Sequence, residues 1–260
     1  MRTASLLLLF LPLLAFGQLP APNAQGVAMG HLHLNTTDLE ASRRFWMDYL
    51  GATVAKKGSL ELYKLPDVLV AVRKAAVSGG TDGSAVNHLG FAVKDLDAML
   101  AKCEKMGYAI VKRMPDTRQA FIMAPDNTKV ELSEDKTQTM PVRHHHIHFF
   151  NSQVMETQAW YAKMFGAKPG RRGKFEAADL PGVNLTFALS ETPVVPTKGR
   201  SVDHIGFEIR NLEQFVKQLE AKGVKFDIPF REVPKLGLKI AFFTDPWGTY
   251  VELTEGLDGV

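Results

Sequence analysis

Two periods of apolar and polar residues alternate along this chain, and the alternation recurs four times. Each instance opens with a run of period two, which reads as a strand whose side chains point to opposite faces. A polar capping residue follows, then a segment of period near 3.6, then a glycine. The first instance runs through 31–34, Asp38, 39–50 and Gly51; the second through 88–93, Asp95, 96–106 and Gly107. The third runs through 146–150, Gln153, 154–165 and Gly166; the fourth through 204–209, Asn211, 212–222 and Gly223. Asp38, Asp95 and Asn211 suit helix N-caps, and Asn211 with Gln214 suits a capping box. The glycines suit the left-handed position past a helix end. Leu39, Ser42, Phe45, Trp46, Tyr49 and Leu50 make one helix face, and Leu212, Phe215, Val216 and Leu219 another.

Strand-like runs follow each helix: 109–113, 119–123 and 128–132 in the second unit, 225–228, 239–243 and 249–253 in the fourth. Turns at Pro125-Asp126-Asn127 and Asp245-Pro246-Trp247-Gly248 precede the last strands. Each unit therefore reads β-α-β-β-β, an α+β pattern. The third unit repeats the first, with His146 answering to His31 and Leu180-Pro181 to Leu65-Pro66. The fourth repeats the second, with His204 answering to His88 and Glu252 to Glu131. With Pro141 as the boundary, this predicts two domains of sequential units, 31–136 and 141–256. The leader 18–30 is expected to be flexible.

Composition narrows the function. A net charge of +3 spread among acids, with no basic stripe, excludes a nucleic-acid footprint. Arg171-Arg172 reads as part of a solvated loop. Arg2, the apolar run 5–16 and Ala15-Phe16-Gly17 read as a signal peptide cleaved after residue 17, with no stable membrane anchor afterwards. A secreted or periplasmic protein is expected. Its single cysteine, Cys103, excludes an internal disulfide and any cysteine-rich zinc site.

Histidine carries the chemistry. Of eight histidines, six fall at matching places in the two halves. Each half holds two imidazoles and a carboxylate: His31, His88 and Glu131; His146, His204 and Glu252. Such a set leaves open positions on a divalent ion, suiting iron(II), manganese, zinc or nickel. His33 and His148 share the ligand-bearing strand face and are candidate proton carriers. Glu61 and Glu176 read as solvent-facing, and His144 and His145 as linker residues.

The run His-x-His, then Asp-Leu and Phe-Trp-x₃-Leu-Gly, then Asn-His-Leu-Gly-Phe-x-Val-x-Asp-Leu, then Val-Glu-Leu resembles the vicinal oxygen chelate superfamily. That superfamily includes glyoxalase I, extradiol dioxygenases and bleomycin resistance proteins. The resemblance covers nearly the whole chain past the leader. It implies four βαβββ units paired into two open eight-stranded β-cups, each holding a metal at the positions named above. It also implies a small substrate that chelates through neighbouring oxygens, with the metal as Lewis acid. Two departures stand out. The runs 68–72 and 183–188 lack the acid that supplies a fourth ligand in glyoxalase I. Phe121 and Phe242 stand where extradiol dioxygenases carry a catalytic tyrosine. The expected function is a metal-dependent enzyme of this type; the alternative is a cup that sequesters a small molecule without turnover.

Overall fold

The computed structural model describes residues 19–260. The expected signal peptide and its cleavage site lie outside the described residues. Among the described residues, no helix is long and apolar enough to cross a membrane.

The four expected units are present. The first comprises β1 (Val27–Thr36), α1 (Leu39–Arg43), β2 (Thr53–Lys57), β3 (Leu60–Leu65) and β4 (Val68–Lys74). The second comprises β5 (Val86–Val93), α2 (Leu96–Met106), β6 (Ala109–Met114), β7 (Gln119–Ala124) and β8 (Thr128–Glu134). The third comprises β9 (Val142–Asn151), α3 (Val154–Phe165), β10 (Lys168–Arg172), β11 (Phe175–Leu180) and β12 (Val183–Leu189). The fourth comprises β13 (Val202–Ile209), α4 (Leu212–Ala221), β14 (Phe226–Val233), β15 (Leu238–Thr244) and β16 (Tyr250–Glu255).

The caps behave as their chemistry predicts at three of four helices. Asp38 accepts from Glu40 and Ala41 N–H, Asp95 from Ala98 and Asn211 from Gln214. Gln153 makes no side-chain cap. The first helix departs from a continuous α-helix: after Arg43 it widens into a π-turn over Arg44–Tyr49, where Leu50 N–H reaches back to Phe45. The wider turn lets Phe45, Trp46 and Tyr49 all enter the core.

The first strand begins at Val27, inside the stretch expected as a leader. Val27 and Met29 are fully buried in β1, because the strand extends to pair with β13 before the first histidine. Asn23 also donates to the Phe165 carbonyl at the end of α3.

The pairing of units differs from the sequential expectation. One sheet runs β14-β15-β16-β13-β1-β4-β3-β2, from the first and last units. The other runs β10-β11-β12-β9-β5-β8-β7-β6, from the two middle units. Each eight-stranded cup therefore draws on both halves, and the halves 31–136 and 141–256 are repeats rather than separate sheets. We refer to the outer cup (first and last units) and the inner cup (middle units). The physical reason lies in the helices. Within the first half, Phe45 packs on Tyr108, Trp46 on Phe91, and Tyr49 Oη donates to the Met99 carbonyl. Within the second half, Phe165 packs on Phe207 and Phe215, and Tyr161 Oη donates to Asp245. Consecutive units are thus joined through their apolar helix faces. The edges of β1 and β5 are left for strands of the opposite half, and one apolar core runs through all four units.

Strand register then sets the cup floors. His31 stands opposite Gly206 and His146 opposite Gly90 in antiparallel pairs. A Cβ at Gly206 would lie 2.1 Å from the His31 ring, and one at Gly90 would lie 1.9 Å from the His146 ring. Each imidazole lies flat across space that any other residue would fill.

Two outcomes follow. Gly206→Ala and Gly90→Ala should each destabilise the protein by about 1–3 kcal/mol through overpacking. Gly170→Ala, where nothing lies within 4 Å, should stay within about 0.5 kcal/mol. Urea unfolding midpoints measure both, and a neutral Gly206→Ala would contradict the stacked geometry. Separately, chains 19–138 and 139–260 expressed alone should fail to form folded monomers, and should recover a 1:1 complex when co-expressed. Light scattering after gel filtration reads this; a folded monomer of 19–138 would contradict the crossed pairing.

Candidate metal centres

The crossed sheets regroup the expected ligands. His31 meets His204 and Glu252 in the outer cup, and His146 meets His88 and Glu131 in the inner cup. The expected sets, drawn from single halves, are corrected in this respect: each first-strand histidine exchanges its partners for those of the other half. The residues are the six named from the sequence, and His33 and His148 join them. In each cup the four donor atoms lie within 4.8 Å of one another.

In the outer cup, the Nε2 atoms of His31 and His204 both lie 2.9 Å from Glu252 Oε2. The His33 ring lies 4.4 Å from that of His204, and its Nε2 is buried without a partner. Behind the centre, Asp203 accepts from His204 Nδ1 at 2.7 Å. That contact holds the proton on Nδ1 and leaves Nε2 facing the centre. Asp203 is itself held by Asn35 and by the Gly199 N–H. Tyr250 and Phe242 stack beside His204, and Lys198 lies over the Tyr250 ring. The cavity is about 540 Å³, lined by Leu60, Leu62, Leu238 and Ile240 together with Arg73, Lys198 and Arg231.

In the inner cup, His88 Nε2 is 3.1 Å from Glu131 Oε2, 3.3 Å from His146 Nε2 and 3.1 Å from His148 Nδ1. Asn87 Oδ1 stands behind His88 at 2.9 Å, in the place of Asp203. The second carboxylate oxygen, Glu131 Oε1, accepts from Arg172, Gln119 and Ser133 at 2.7–2.8 Å. The cavity is about 780 Å³, with Val111, Phe121, Phe150 and Phe175 among Lys112, Lys129 and Lys174.

Burial governs the electrostatics. It holds His33 and His146 at about 3 and His148 at about 2, so all three imidazoles are neutral near neutral pH. For Glu252 and Glu131 burial works to raise the pKa, but the facing histidines outweigh it, joined at Glu131 by Arg172, and both stay well below the usual carboxylate range. His204 is raised despite burial, because Asp203 and Glu252 both accept from it. Imidazole nitrogens converging on one carboxylate oxygen, with buried orphan nitrogens beside them, fit a divalent cation. His88 Nε2 has one lone pair or one proton, so its three contacts at 3.1–3.3 Å, to Glu131 Oε2, His146 Nε2 and His148 Nδ1, cannot all be hydrogen bonds.

Other readings are refined. His144 and His145 belong to β9, and His144 is 1% exposed against Phe91, because the strand continues back to Val142 to complete its pairing with β5. Arg172 is not on a solvated loop: strand alternation turns it inward to Glu131, while Arg171 faces out toward Glu176. Glu61 is exposed and Glu176 half-buried, and neither lines a cup. Phe121 and Phe242 stand beside the ligand histidines, at 4.9 and 5.3 Å between ring centres, and bring no hydroxyl there. Sequence reasoning missed Asp203, Asn87, Gln119, Ser133 and Arg172. The residue just before His204 and His88, the first-strand histidines of the fourth and second units, was the available signal, Asp203 in one and Asn87 in the other.

The Glyoxalase/Bleomycin resistance protein/Dioxygenase superfamily model matches residues 28–132 and again 143–253. The solved structure of glyoxalase I from Zea mays is similar with a TM-score of 0.71 at 18% identity, covering 89% of this chain and 93% of that one. A putative dioxygenase from Bacillus subtilis subsp. subtilis str. 168 is similar with a TM-score of 0.64 at 15% identity, covering 94% of this chain and 87% of that one. At these identities the likeness is one of fold. No curated protein matches the chain at a significant level. Two matches that together span most of the sequence, on a four-unit fold with two cups, place this chain in the Glyoxalase/Bleomycin resistance protein/Dioxygenase superfamily.

Proposed function

We propose that the protein is a divalent-metal-dependent enzyme acting on a small substrate that presents neighbouring oxygens. The observation that carries this reading is the convergence of His31 and His204 Nε2 on Glu252 Oε2, both at 2.9 Å, at the floor of an open cavity. His31, His204 and Glu252 would hold one ion, and His88, His146 and Glu131 another. A bound divalent ion would supply Lewis acidity toward a substrate oxygen. The chain's own residues then do three things. The cup walls bury the apolar part of the substrate and thin the surrounding water. Phe242 and Tyr250 line one cavity beside the ligand histidines, and Phe121 and Phe175 line the other. His33 and His148, each with a buried unbonded Nε2 beside the ligand histidines, are the groups placed to carry a substrate proton.

The two departures from the family pattern direct the choice of reaction. The strand runs beside β1 and β9 carry no acid to serve as a fourth ligand, and Phe121 and Phe242 replace the tyrosine of ring cleavage. Proton transfer at a carbon next to a carbonyl is the chemistry left to the residues present. A second reading, sequestration without turnover, is favoured by the apolar side chains that line the outer cup, Leu60, Leu62, Leu238 and Ile240 among them. Export, argued from the apolar run 5–16, is part of this proposal and is tested by the N-terminal sequence of the protein recovered outside the cytoplasm.

Elemental mass spectrometry of the purified chain should find about two metal ions, falling by one in His31→Ala and by one in His146→Ala. No bound metal after anaerobic reconstitution would leave sequestration as the reading. In D₂O, the metal-loaded protein should exchange deuterium into the α-carbon of small 2-oxo and 2-hydroxy carbonyl compounds. His33→Ala and His148→Ala should each lower the rate of their own cup by ~10²–10⁴-fold, the usual range for a general base, with metal content unchanged. Loss of metal in those variants would make them ligands instead of proton carriers.

A further inference from the structure

The two centres share their inner residues but not what stands behind them. His204 is backed by a carboxylate, Asp203, at 2.7 Å; His88 is backed by a neutral amide, Asn87, at 2.9 Å. Glu131 is paired with a guanidinium, Arg172, at 2.8 Å, while no cation bridges Glu252 or Asp203 among the described residues. The remaining contacts diverge in the same direction. Gln119 and Ser133 donate to Glu131, whereas Ile240 and Thr254 hold those register positions in the outer cup. Thr254 donates to Glu208 instead. Three cations line the outer cavity, yet none touches a carboxylate of the centre: Arg73 donates to Asn35, Lys198 lies over Tyr250, and Arg231 lines the wall.

Charge around the ligands therefore differs by two units. Asp203 and Glu252 give the outer centre two negative charges before a metal enters. Glu131 and Arg172 cancel at the inner centre. The inner cavity adds Lys112 and Lys174, which make no ion pair among the described residues, and Lys129, paired only with Asp82 and Asn87. Attraction for a dication falls with each uncompensated cation nearby, and low-dielectric burial magnifies the difference. Arg172 also occupies Glu131 Oε1, confining that carboxylate to one-oxygen ligation, whereas Glu252 Oε1 makes no hydrogen bond among the described residues.

Resting on the metal reading above, we propose that the two centres are divided by charge. The outer centre is the tight metal site, with two carboxylates, Glu252 and Asp203, at His204 and no lysine or arginine on either among the described residues. The inner centre binds its metal weakly alone and takes it together with an anionic, carboxylate-bearing ligand. The ligand's negative charge replaces what Arg172 removes, and Lys112 and Lys174 guide it in.

The test is Mn²⁺ binding to the full chain, followed by the electron paramagnetic resonance signal of free Mn²⁺. One ion should bind at least ~10-fold more tightly than the second, a difference in the range that residues behind a ligand produce. His31→Ala should remove the tight site and His146→Ala the weak one. Asp203→Asn should weaken the tight site by ~10–100-fold and Arg172→Gln should tighten the weak one. Pyruvate should tighten only the second site, methyl pyruvate should not, and Arg172→Gln or Lys112→Gln with Lys174→Gln should diminish the pyruvate effect. Two equal sites, a tight site lost with His146→Ala, or an equal response to the methyl ester would overturn the proposal while leaving the metal reading standing. Absence of Mn²⁺ binding altogether would overturn both.

Discussion

The antiparallel contact of β1 with β13, and its counterpart between β9 and β5, sets what both cups can be. It lays His31 across Gly206 and His146 across Gly90, and each ring fills the space a side chain would need. Without those pairs the first-strand histidines would meet no carboxylate, because Glu252 and Glu131 reach the centre from strands parallel to β13 and β5. The same contact joins the two halves of the chain. Construction of a centre and association of the halves are therefore one event.

A buried carboxylate facing two or three imidazoles is costly unless its charge is answered, since ionised groups lose several kcal/mol of hydration on burial. The two cups answer it differently. In the inner cup three donors fix one oxygen of Glu131, and the histidines approach the other. In the outer cup Glu252 is met only by histidines, and Asp203 adds a second negative charge. His204, with a carboxylate at each nitrogen, becomes an imidazolium more readily than its environment alone would allow. The polar set is strained toward a cation in both cases, and more so in the outer cup.

Local order was readable from the sequence because it has local causes. Period-two runs, side-chain caps at Asp38, Asp95 and Asn211, and β-α-β-β-β repetition all come from neighbours within one unit. The ligand types were readable for the same reason, as they recur at matching places. Which unit joins which was not readable. Four similar units expose similar strand edges, and no residue of one unit names its partner; the choice follows from aromatic helix faces such as Phe45–Tyr108 and Phe165–Phe207, known only in three dimensions. Arg172 was hidden by its neighbour: a pair of arginines suggests solvent, and only strand alternation sends one inward. His144 was hidden by Pro141, which ends a connection three residues before a buried ring.

The divergence between cups tells where selection of a ligand resides in such a repeat. Residues that would touch the metal are the same in both copies, so they cannot distinguish one substrate from another. The differences lie one step out: Asp203 against Asn87, Tyr250 against Lys129, Ile240 against Gln119. The first of these moves charge from an anionic backing at the outer centre toward a compensated one at the inner centre, where Arg172 meets Glu131. A lone exchange of this kind carries little weight. Two that agree in sign, Asp203 against Asn87 and Tyr250 against Lys129, at register-matched positions around the same histidine, join Arg172 on Glu131 in setting the two centres apart in charge.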